Sequence, residues 1–296
     1  MKTLTAGHIT HDHYEEGLVA GGCAFYGAKV HARLSGDTHL VTVVGDDFTR
    51  DDEISDLHAT IHRAGETTVF ANYYPPNKPR IQLLEAQAPE VTPDMAPAGW
   101  LDADLIHLAP VLGEIDLQKW KKAAGGGLLA INVQGWIKVA GPEVAADELE
   151  RDQRRGVSGS AHRVVQRPWQ VTEEELRGVD IACLSEEDLI DQGDLLERLL
   201  RAVPIVALTL GRRGSRIYVD GEPTEVGIYS TDAVDPTGAG DVFAASFCHR
   251  VARGAAPVEA ARFAAACASI VVEDIGARAL DRLGEAQARM KATPKS

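Results

Sequence analysis

Residues 234–241 read VDPTGAGD and are followed, at 242–250, by VFAASFCHR. The second segment has the composition of a packed helix, and we predict that this helix ends near Arg253 and Gly254. Small residues before a helix start let a phosphate approach backbone N–H groups, where the helix dipole favours negative charge. Asp241 stands next to that anion site. A phosphate site beside a carboxylate is the arrangement that phosphoryl transfer to an alcohol needs.

The length of this motif decides between two interpretations. A bare GxGD string is more often a Gly-rich turn with a charged cap, whereas DPTGAGD is far more specific. The longer string resembles the C-terminal signature of the ribokinase-like (PfkB) carbohydrate kinases. The resemblance extends over most of the chain, to GG at 21–22, VGDDF at 44–48, TLGRRG at 209–214, AS at 268–269 and GA at 276–277.

Three further segments narrow the resemblance. They read GHITHDHY at 7–14, GGCAFYGA at 21–28 and INVQGW at 131–136. Together they are most similar to the short bacterial and plant members of the family that include myo-inositol kinases. The resemblance therefore implies an α/β chain with a three-layer α/β/α ribokinase-like fold, a mostly parallel central sheet and a small β lid.

The resemblance also implies a reaction, which is the ATP-dependent phosphorylation of a hydroxyl group on a sugar or cyclic polyol. Asp241 would act as the base, and the amides of Gly238, Ala239 and Gly240 would form the anion hole. Mg²⁺ would bridge the phosphates, and some relatives also use a monovalent cation such as K⁺. Because Asp241 lies at a predicted helix N-terminus, we expect it to stay ionised and to be a weak base.

The other site residues are carried over from the family position by position. The acceptor pocket is expected to contain Asp12, Gly21, Gly22, Asn132 and Gln134. The nucleotide is expected to contact Thr209, Gly211, Gly214, Asp235, Thr237 and Ser269, with Asp235 and Thr237 holding either the loop or a monovalent cation. On residue type alone, Asp12 fits a turn or a cap equally well.

One motif departs from the family pattern. Residues 185–188 read SEED where the family commonly has Asn-x-x-Glu, a motif that organises water around magnesium. Asp188 keeps an acid at this place, and we predict for it an indirect contact with the metal. The same residues also fit a helix start, with Ser185 as the N-cap and acids in the first turn.

Strand-like and helix-like segments alternate along the chain, which favours βαβ units and a parallel sheet in one domain spanning 1–296. Two strand-like runs flank a Pro-rich tip within 67–85 and predict a hairpin, which together with residues 10–20 forms the predicted lid. The apolar spacing over 54–61 predicts a helix that ends at Gly65.

A polar segment at about 139–170 interrupts this alternation. It is polar, contains Arg151, Arg154, Arg155 and Arg163, and shows no apolar periodicity, so we predict an insertion without a place in the compact repeat. Loops of this length are usually functional or disordered. An oligomer contact and a flap over the site are both open interpretations.

Composition and charge exclude several classes of protein. The net charge of −14 argues against a nucleic-acid or anionic-membrane partner, and no apolar run approaches the ~20 residues that a bilayer span needs. The four cysteines form no CxxC pair and are predicted to be reduced, and no signal peptide is visible. We therefore expect a cytoplasmic protein. The sequence leaves a monomer and a homodimer equally open.

Two alternatives to a sugar or polyol kinase stay open. One is a nucleoside or vitamin kinase with the same fold, and the other is a catalytically silent sensor of a sugar or a nucleotide. The complete GAGD motif and its Asp241 argue against the sensor. A P-loop kinase is excluded because the chain contains no GxxxxGK[ST] sequence.

Overall fold

The computed structural model describes residues 1–14, 17–73, 80–145, 157 and 159–292. The strands are β1 (Thr3–Ala6), β2 (Thr10–Tyr14), β3 (Gly17–Gly21), β4 (Thr38–Val44), β5 (Ala59–Arg63), β6 (Thr68–Tyr73), β7 (Ile81–Ala86), β8 (Leu105–Leu108), β9 (Leu128–Asn132), β10 (Lys138–Val144), β11 (Ala161–Gln166), β12 (Ile181–Ser185), β13 (Ile205–Thr209), β14 (Ser215–Val219) and β15 (Glu222–Val226). The helices are α1 (Cys23–Ser35), α2 (Asp51–Ile54), α3 (Leu117–Ala123), α4 (Gln134–Ile137), α5 (Glu173–Leu176), α6 (Leu195–Ala202), α7 (Ala239–Ala252), α8 (Pro257–Val271) and α9 (Ala286–Arg289). Turns of 3₁₀ helix cover Pro93–Met95, Glu186–Leu189, Gly211–Arg213 and Arg278–Glu285.

Nine strands form the central sheet, in the order β15-β14-β13-β12-β9-β8-β1-β4-β5. The strands from β13 to β5 run parallel, while β14 and β15 pair antiparallel at one edge. Parallel strands are apolar along their whole length when helices cover both faces of the sheet, and every residue of β4 is buried. The predicted, mostly parallel α/β sheet is confirmed.

Helices on both faces of the sheet give the chain three layers. One hydrophobic core contains α1, α7 and α8, with Phe25 and Phe247 buried in it. The other contains α3, α5 and α6, with Trp120 and Leu199 at its centre. The indole of the fully buried Trp120 donates a hydrogen bond to the carbonyl oxygen of Val91 at 3.0 Å, so its polar atom is satisfied. Among the helices of the described ranges, none has the length and apolar character to cross a membrane.

A second sheet, which we call the lid sheet, has six strands in the order β10-β11-β7-β6-β2-β3. Strands β6 and β7 form the predicted hairpin, and β2 pairs parallel with β6. The Pro-rich tip of this hairpin, within 74–79, lies outside the described residues. The lid sheet brings β2, β7 and β10 to the carboxyl edge of the central sheet, where the site described below is found.

The prediction that 139–170 lacks a place in the fold is wrong at both ends of that segment. Strands β10 and β11 pair with each other, and β11 pairs with β7, so the segment extends the lid sheet. Ala161 of β11 is buried against Leu83 of β7. The remaining side chains of β10 and β11 are mostly exposed or half-buried, which is why no apolar pattern marks these strands in the sequence. Residues 146–156 and 158 lie outside the described part of the chain.

The helix predicted from the spacing over 54–61 is also wrong. The helix α2 ends at Ile54, and residues Ala59–Arg63 form β5, which pairs parallel with β4. Short apolar runs fit helical and extended spacing alike. The strand prevails here because the edge of β4 supplies backbone hydrogen-bond partners that an isolated short helix would lack.

Candidate active site

A cavity of about 520 Å³, which we call the larger cavity, opens at the carboxyl ends of β9, β12 and β13. In open α/β sheets ligands bind at this edge. The N-terminus of α7 forms another wall of the cavity. The residues that sequence analysis placed in the site and that line this cavity are Asn132, Gln134, Asp188, Thr209, Gly211, Thr237, Gly238, Ala239, Gly240 and Asp241.

The backbone of the glycine motif is shaped for close approach. Gly238 has φ of 78° and precedes the first residue of α7, and a Cβ at this position would lie 2.5 Å from Tyr26 Cε1. Only glycine combines that left-handed conformation with that contact. A Cβ at Gly240 would meet no atom within 4 Å, because Gly240 faces the larger cavity. The start of α7 therefore offers N–H groups and open space to an anion.

Asp235 holds this loop in place. Its carboxylate accepts hydrogen bonds from the backbone N–H groups of Thr237 at 2.9 Å and Gly276 at 3.0 Å, and from the Tyr14 hydroxyl at 2.9 Å. Burial alone would raise the pKa of Asp235, but these hydrogen bonds bring the pKa below its ordinary value. The sequence leaves two roles open for Asp235, which are to hold the loop or to hold a monovalent cation. These contacts support the first role.

A smaller cavity of about 80 Å³ lies under the lid sheet, next to the larger one. Its walls come from α1, α7 and the lid strands, and most of its lining is polar. The polar side chains that line it are Thr10, Asp12, Asn72, Arg80, Gln82, Gln134, Lys138, Thr237 and Asp241. Five residues line both cavities, namely Arg80, Gln134, Thr237, Gly238 and Asp241.

Asp12 is the buried acid of the smaller cavity. Its side chain is 6% exposed and accepts a hydrogen bond from the Thr10 hydroxyl at 2.9 Å. Burial raises the pKa of Asp12 from 3.8 to about 6. A Cβ on Gly21 would lie 2.4 Å from Asp12 Oδ2, so Gly21 is needed for the carboxylate to fit, although Gly21 itself does not line the cavity. Its neighbour Gly22 does line it.

Asp241 stands where the two cavities meet. Burial raises its pKa above the ordinary value, while a hydrogen bond with Cys23 and the charges of Lys138 and Arg80 act in the opposite direction. The sequence predicts an ionised, weakly basic Asp241 from its place at a helix N-terminus, and burial acts against this by raising the pKa of Asp241. A carboxylate with a raised pKa is a better proton acceptor.

Lys138 and Arg80 are site residues that sequence analysis missed. Lys138 is the first residue of β10, and its ammonium group donates a hydrogen bond to Gln134 Oε1 at 2.7 Å. Gln134 in turn donates from its Nε2 to Cys23 Sγ. Burial, with the charge of Arg80, lowers the pKa of Lys138. Lys138 directly precedes the segment at about 139–170 that the sequence predicts to be a polar insertion, so the sequence does not mark it as a site residue.

Comparison with known proteins gives a family for part of the chain. Residues 170–282 match the model of the pfkB family carbohydrate kinases. The chain contains a pfkB family domain. A nucleoside kinase of Methanothermobacter thermautotrophicus is 42% identical over 89 residues, which are 30% of this chain and 28% of that protein. The matches to curated relatives cover only 20–33% of those proteins' lengths.

Solved structures resemble the fold of this protein over nearly its whole chain. A pyrophosphate-dependent kinase of the ribokinase family, complexed with a pyrophosphate analog and myo-inositol, has a TM-score of 0.73 at 20% identity and covers 95% of this chain and 98% of its own. The ribokinase of Arabidopsis thaliana, complexed with ribose and ATP, has a TM-score of 0.69 at 19% identity and covers 99% of each chain. These likenesses confirm the ribokinase-like fold.

The described residues offer few direct ligands for magnesium. Asp188 Oδ2 accepts hydrogen bonds from the backbone N–H of Ser185 at 2.7 Å and from its hydroxyl at 2.8 Å, which is the capping arrangement the sequence also allowed. Within the described residues, no group of three or more His, Cys, Asp or Glu side chains is placed to hold a metal ion. A magnesium ion carried by nucleotide phosphates needs only one or two carboxylates, and Asp188 and Glu187 line the larger cavity.

Three of the predicted nucleotide contacts, Gly214, Asp235 and Ser269, line neither of the two cavities. A Cβ on Gly214 would lie 2.2 Å from the carbonyl oxygen of Val226, so this glycine serves the turn between β13 and β14. Ser269 lies in α8, where its hydroxyl donates to the carbonyl oxygen of Ala266 at 2.7 Å and accepts from Arg289 at 3.2 Å. Neither Gly214 nor Ser269 lines the larger cavity. Asn132, predicted to bind the acceptor, lines the larger cavity and not the smaller one.

Proposed function

We propose that this protein transfers a phosphoryl group from ATP to a hydroxyl group of a sugar or cyclic polyol. The observation that carries the proposal is the junction of the two cavities at Asp241. A donor in the larger cavity and an acceptor in the smaller one would meet beside a carboxylate and the N–H groups of Gly238–Gly240. Proton removal and anion stabilisation would then be available at the same point.

The proposed mechanism assigns each group one task. The acceptor hydroxyl donates its proton to the carboxylate of Asp241, and its oxygen forms the new bond to the terminal phosphorus of ATP. The bond from that phosphorus to the bridging oxygen breaks, and ADP leaves with the electron pair. The N–H groups at the start of α7 stabilise the charge on the transferred phosphoryl group, since helix N-termini favour anions. Lys138 and Arg80 place positive charge where the two cavities meet. When bound with the nucleotide, magnesium supplies further neutralisation of phosphate charge.

The smaller cavity fits a small polyhydroxylated molecule. A buried water needs about 10–15 Å³ of cavity volume. The smaller cavity, at about 80 Å³, therefore holds on the order of six waters. Asp12, Asn72 and Gln82 supply a carboxylate and two amides that pair with hydroxyl groups at fixed angles. A site of this kind rejects analogues that lack a hydroxyl, because the buried polar groups are then left unpaired. This polarity and size support a polyol such as myo-inositol.

A nucleoside acceptor is the second candidate. Tyr26 and Phe70 both line the smaller cavity and could stack on a base. The match to a nucleoside kinase over 89 residues points the same way. The two candidates differ in the volume they need, since a nucleoside adds a base to its sugar.

A panel of acceptors tests the proposed function. The purified chain is incubated with Mg²⁺ and either ATP or pyrophosphate, each with myo-inositol, a deoxy-inositol, ribose, fructose or adenosine, and phosphorylated products are measured by ³¹P NMR. Pyrophosphate is included because one structural neighbour is a pyrophosphate-dependent kinase. With ATP as the donor, we expect a polyol or sugar to be phosphorylated faster than adenosine. We also expect deoxy-inositol to be phosphorylated far more slowly than myo-inositol. Faster turnover of adenosine than of every polyol and sugar would contradict the proposal, and so would the absence of any phosphorylated product.

The pH dependence should follow two carboxylates that line the smaller cavity. Asp12 and Asp241 both act in their ionised forms, and burial raises the pKa of Asp12 to about 6 and that of Asp241 above its ordinary value. We therefore expect kcat/KM for the acceptor to rise with pH through about 6 and then to level off. A pH–rate profile that is flat between about pH 5 and 8 would contradict this assignment.

The same pKa shift predicts the pH dependence of stability. Asp12 keeps its proton to a higher pH in the folded chain than in the unfolded chain, so its contribution to stability is complete below pH 3.8 and is lost as the pH rises through about 6. Asp12→Asn should remove this loss. Urea unfolding at pH 4 and pH 7 therefore provides a check that does not depend on turnover.

A further inference from the structure

Three buried histidines connect the interior of the fold to the wall of the larger cavity. They lie on three elements, with His31 in α1, His107 in β8 and His249 in α7, and none is more than 2% exposed. Nitrogen atoms of His31 and His107 are 3.2 Å apart, and those of His31 and His249 are 3.5 Å apart. His107 Nε2 lies 3.0 Å from Asn132 Oδ1, at the end of β9.

The chemistry of the amide fixes the direction of this chain of hydrogen bonds. An amide oxygen only accepts, so His107 Nε2 must carry a hydrogen and donate it to Asn132 Oδ1. Burial lowers the pKa of His107 to about 4, so the ring is neutral at neutral pH and its Nδ1 is an acceptor. That acceptor faces His31 Nε2, which must therefore carry a hydrogen.

The last ring of the chain is that of His249, which lies next to His31. Burial, reinforced by the two neighbouring histidines, lowers the pKa of His31, so His31 is neutral and its Nδ1 accepts. The ring nitrogen opposite is His249 Nδ1, whose hydrogen completes the chain. Burial and the charges of Arg253 and Arg250 also lower the pKa of His249, to about 4. The whole chain is therefore neutral and runs in one direction, from α7 to Asn132.

We propose that these histidines are positioning residues that hold the amide N–H₂ of Asn132 toward the larger cavity, where it donates a hydrogen bond to an oxygen of the phosphoryl donor. Asn132 lines that cavity, and its oxygen is occupied by His107, so the amide nitrogen is the group left to meet a ligand. This inference rests on the proposed function for the identity of the ligand, but not for the arrangement of the histidines.

The tautomers can be measured without any ligand. In ¹⁵N-histidine-labelled protein, two-bond ¹H–¹⁵N correlations distinguish Nδ1–H from Nε2–H rings, and His107→Gln and His31→Phe assign the signals. We expect Nε2–H tautomers for His107 and His31, an Nδ1–H tautomer for His249, and no protonation of any of the three between about pH 6 and 8. An Nδ1–H tautomer at His107, or a ring that titrates in this range, would overturn the proposed chain.

Two variants at one position test the effect on donor binding. His107→Phe keeps the ring shape and removes the donor to Asn132, whereas His107→Gln keeps an N–H donor. Calorimetric binding of Mg·ATP and of magnesium pyrophosphate is measured for both, along with the Tm. We expect His107→Phe to weaken donor binding by about tenfold, the usual effect of losing one hydrogen bond to a charged group, and His107→Gln by less than about threefold. Equal weakening in the two variants would overturn the positioning role.

A double-mutant cycle separates positioning from general loss of structure. If His107 acts through Asn132, then His107→Phe should cause no further loss of donor affinity in a chain that already carries Asn132→Ala. A full tenfold further loss in that background would show that His107 acts otherwise, and would overturn the proposal. If the parent chain binds neither ATP nor pyrophosphate, the proposed function fails and the ligand assigned to Asn132 fails with it, whereas the tautomers still decide the chain of histidines.

Discussion

Asp241→Asn is expected to lower kcat by about 10²–10⁴, the range for removal of a general base. The amide has nearly the same shape as the carboxylate but cannot take a proton from the acceptor hydroxyl. Donor binding should be kept or slightly tightened, because the variant removes a negative charge from the wall of the larger cavity. Steady-state kinetics with the best acceptor of the panel, together with calorimetric binding of Mg·ATP, measure both effects.

The matched control for this variant is Asp232→Asn. Asp232 lies two residues before the VDPTGAGD motif, is exposed and lines neither cavity. Its variant should therefore keep the parent kcat within a factor of about two, as surface substitutions usually do. If Asp241→Asn also stayed within a few-fold of the parent, Asp241 would not be the base.

Lys138→Met should give the second-largest effect, a fall in kcat of about 10²–10³, which is typical for the loss of one group that stabilises transition-state charge. Lys138 reaches the junction of the two cavities from the lid sheet and donates to Gln134 Oε1 at 2.7 Å. Methionine keeps the length of the side chain and removes the charge. Lys138→Arg should recover part of the activity, since it restores the charge.

The pH–rate profile separates a role of the Lys138 charge in catalysis from a role of its side chain in packing. The charge of Lys138 lowers the pKa of Asp241, so its removal should move the acid limb of the pH–rate profile to higher pH. Lys122→Met, at an exposed lysine of α3, is the control and should leave both kcat and the profile unchanged. A Lys138→Met enzyme with the parent kcat and the parent profile would remove Lys138 from the mechanism.

The parts of the site that are local in sequence were predictable. The VDPTGAGD motif at 234–241 combines a left-handed glycine, a helix start and an acid within eight residues, so its geometry follows from the sequence itself. Asp12 is placed in the acceptor pocket by the family resemblance, whereas its residue type alone fits a turn or a cap equally well. Its raised pKa depends on burial by the lid sheet and α1, which come together only in the folded chain.

The parts that depend on distant pairing were not predictable. Lys138 enters the site because β11, more than twenty residues away, pairs with both β10 and β7. The resemblance assigns Asn132 to the acceptor pocket. Asn132 is the last residue of β9, however, and lines the larger cavity where the ends of β9 and β12 lie side by side. Ser269 and Gly214 were carried over as nucleotide contacts, yet neighbouring backbone and side-chain groups occupy the space around them.

The fold itself was accessible because it depends on repeated local patterns. Buried strands such as β13, which reads IVALT, consist mostly of consecutive apolar residues, and this pattern predicts a parallel sheet. The lid strands β10 and β11 lack that pattern, since most of their side chains are exposed or half-buried. The strand β5 was mistaken for a helix for a related reason, because a short edge strand is defined by its partner more than by its own residues.

The most direct test of the junction at Asp241 is a crystal structure of the Asp241→Asn variant with a non-hydrolysable ATP analogue and the best acceptor of the panel. We expect the triphosphate to bind in the larger cavity, with its terminal phosphate against the N–H groups of Gly238–Gly240. We also expect an acceptor hydroxyl in the smaller cavity, within about 2.6–3.2 Å of the side chain at position 241. An acceptor bound outside the smaller cavity, or a terminal phosphate that does not contact the start of α7, would contradict the proposal that donor and acceptor meet at Asp241.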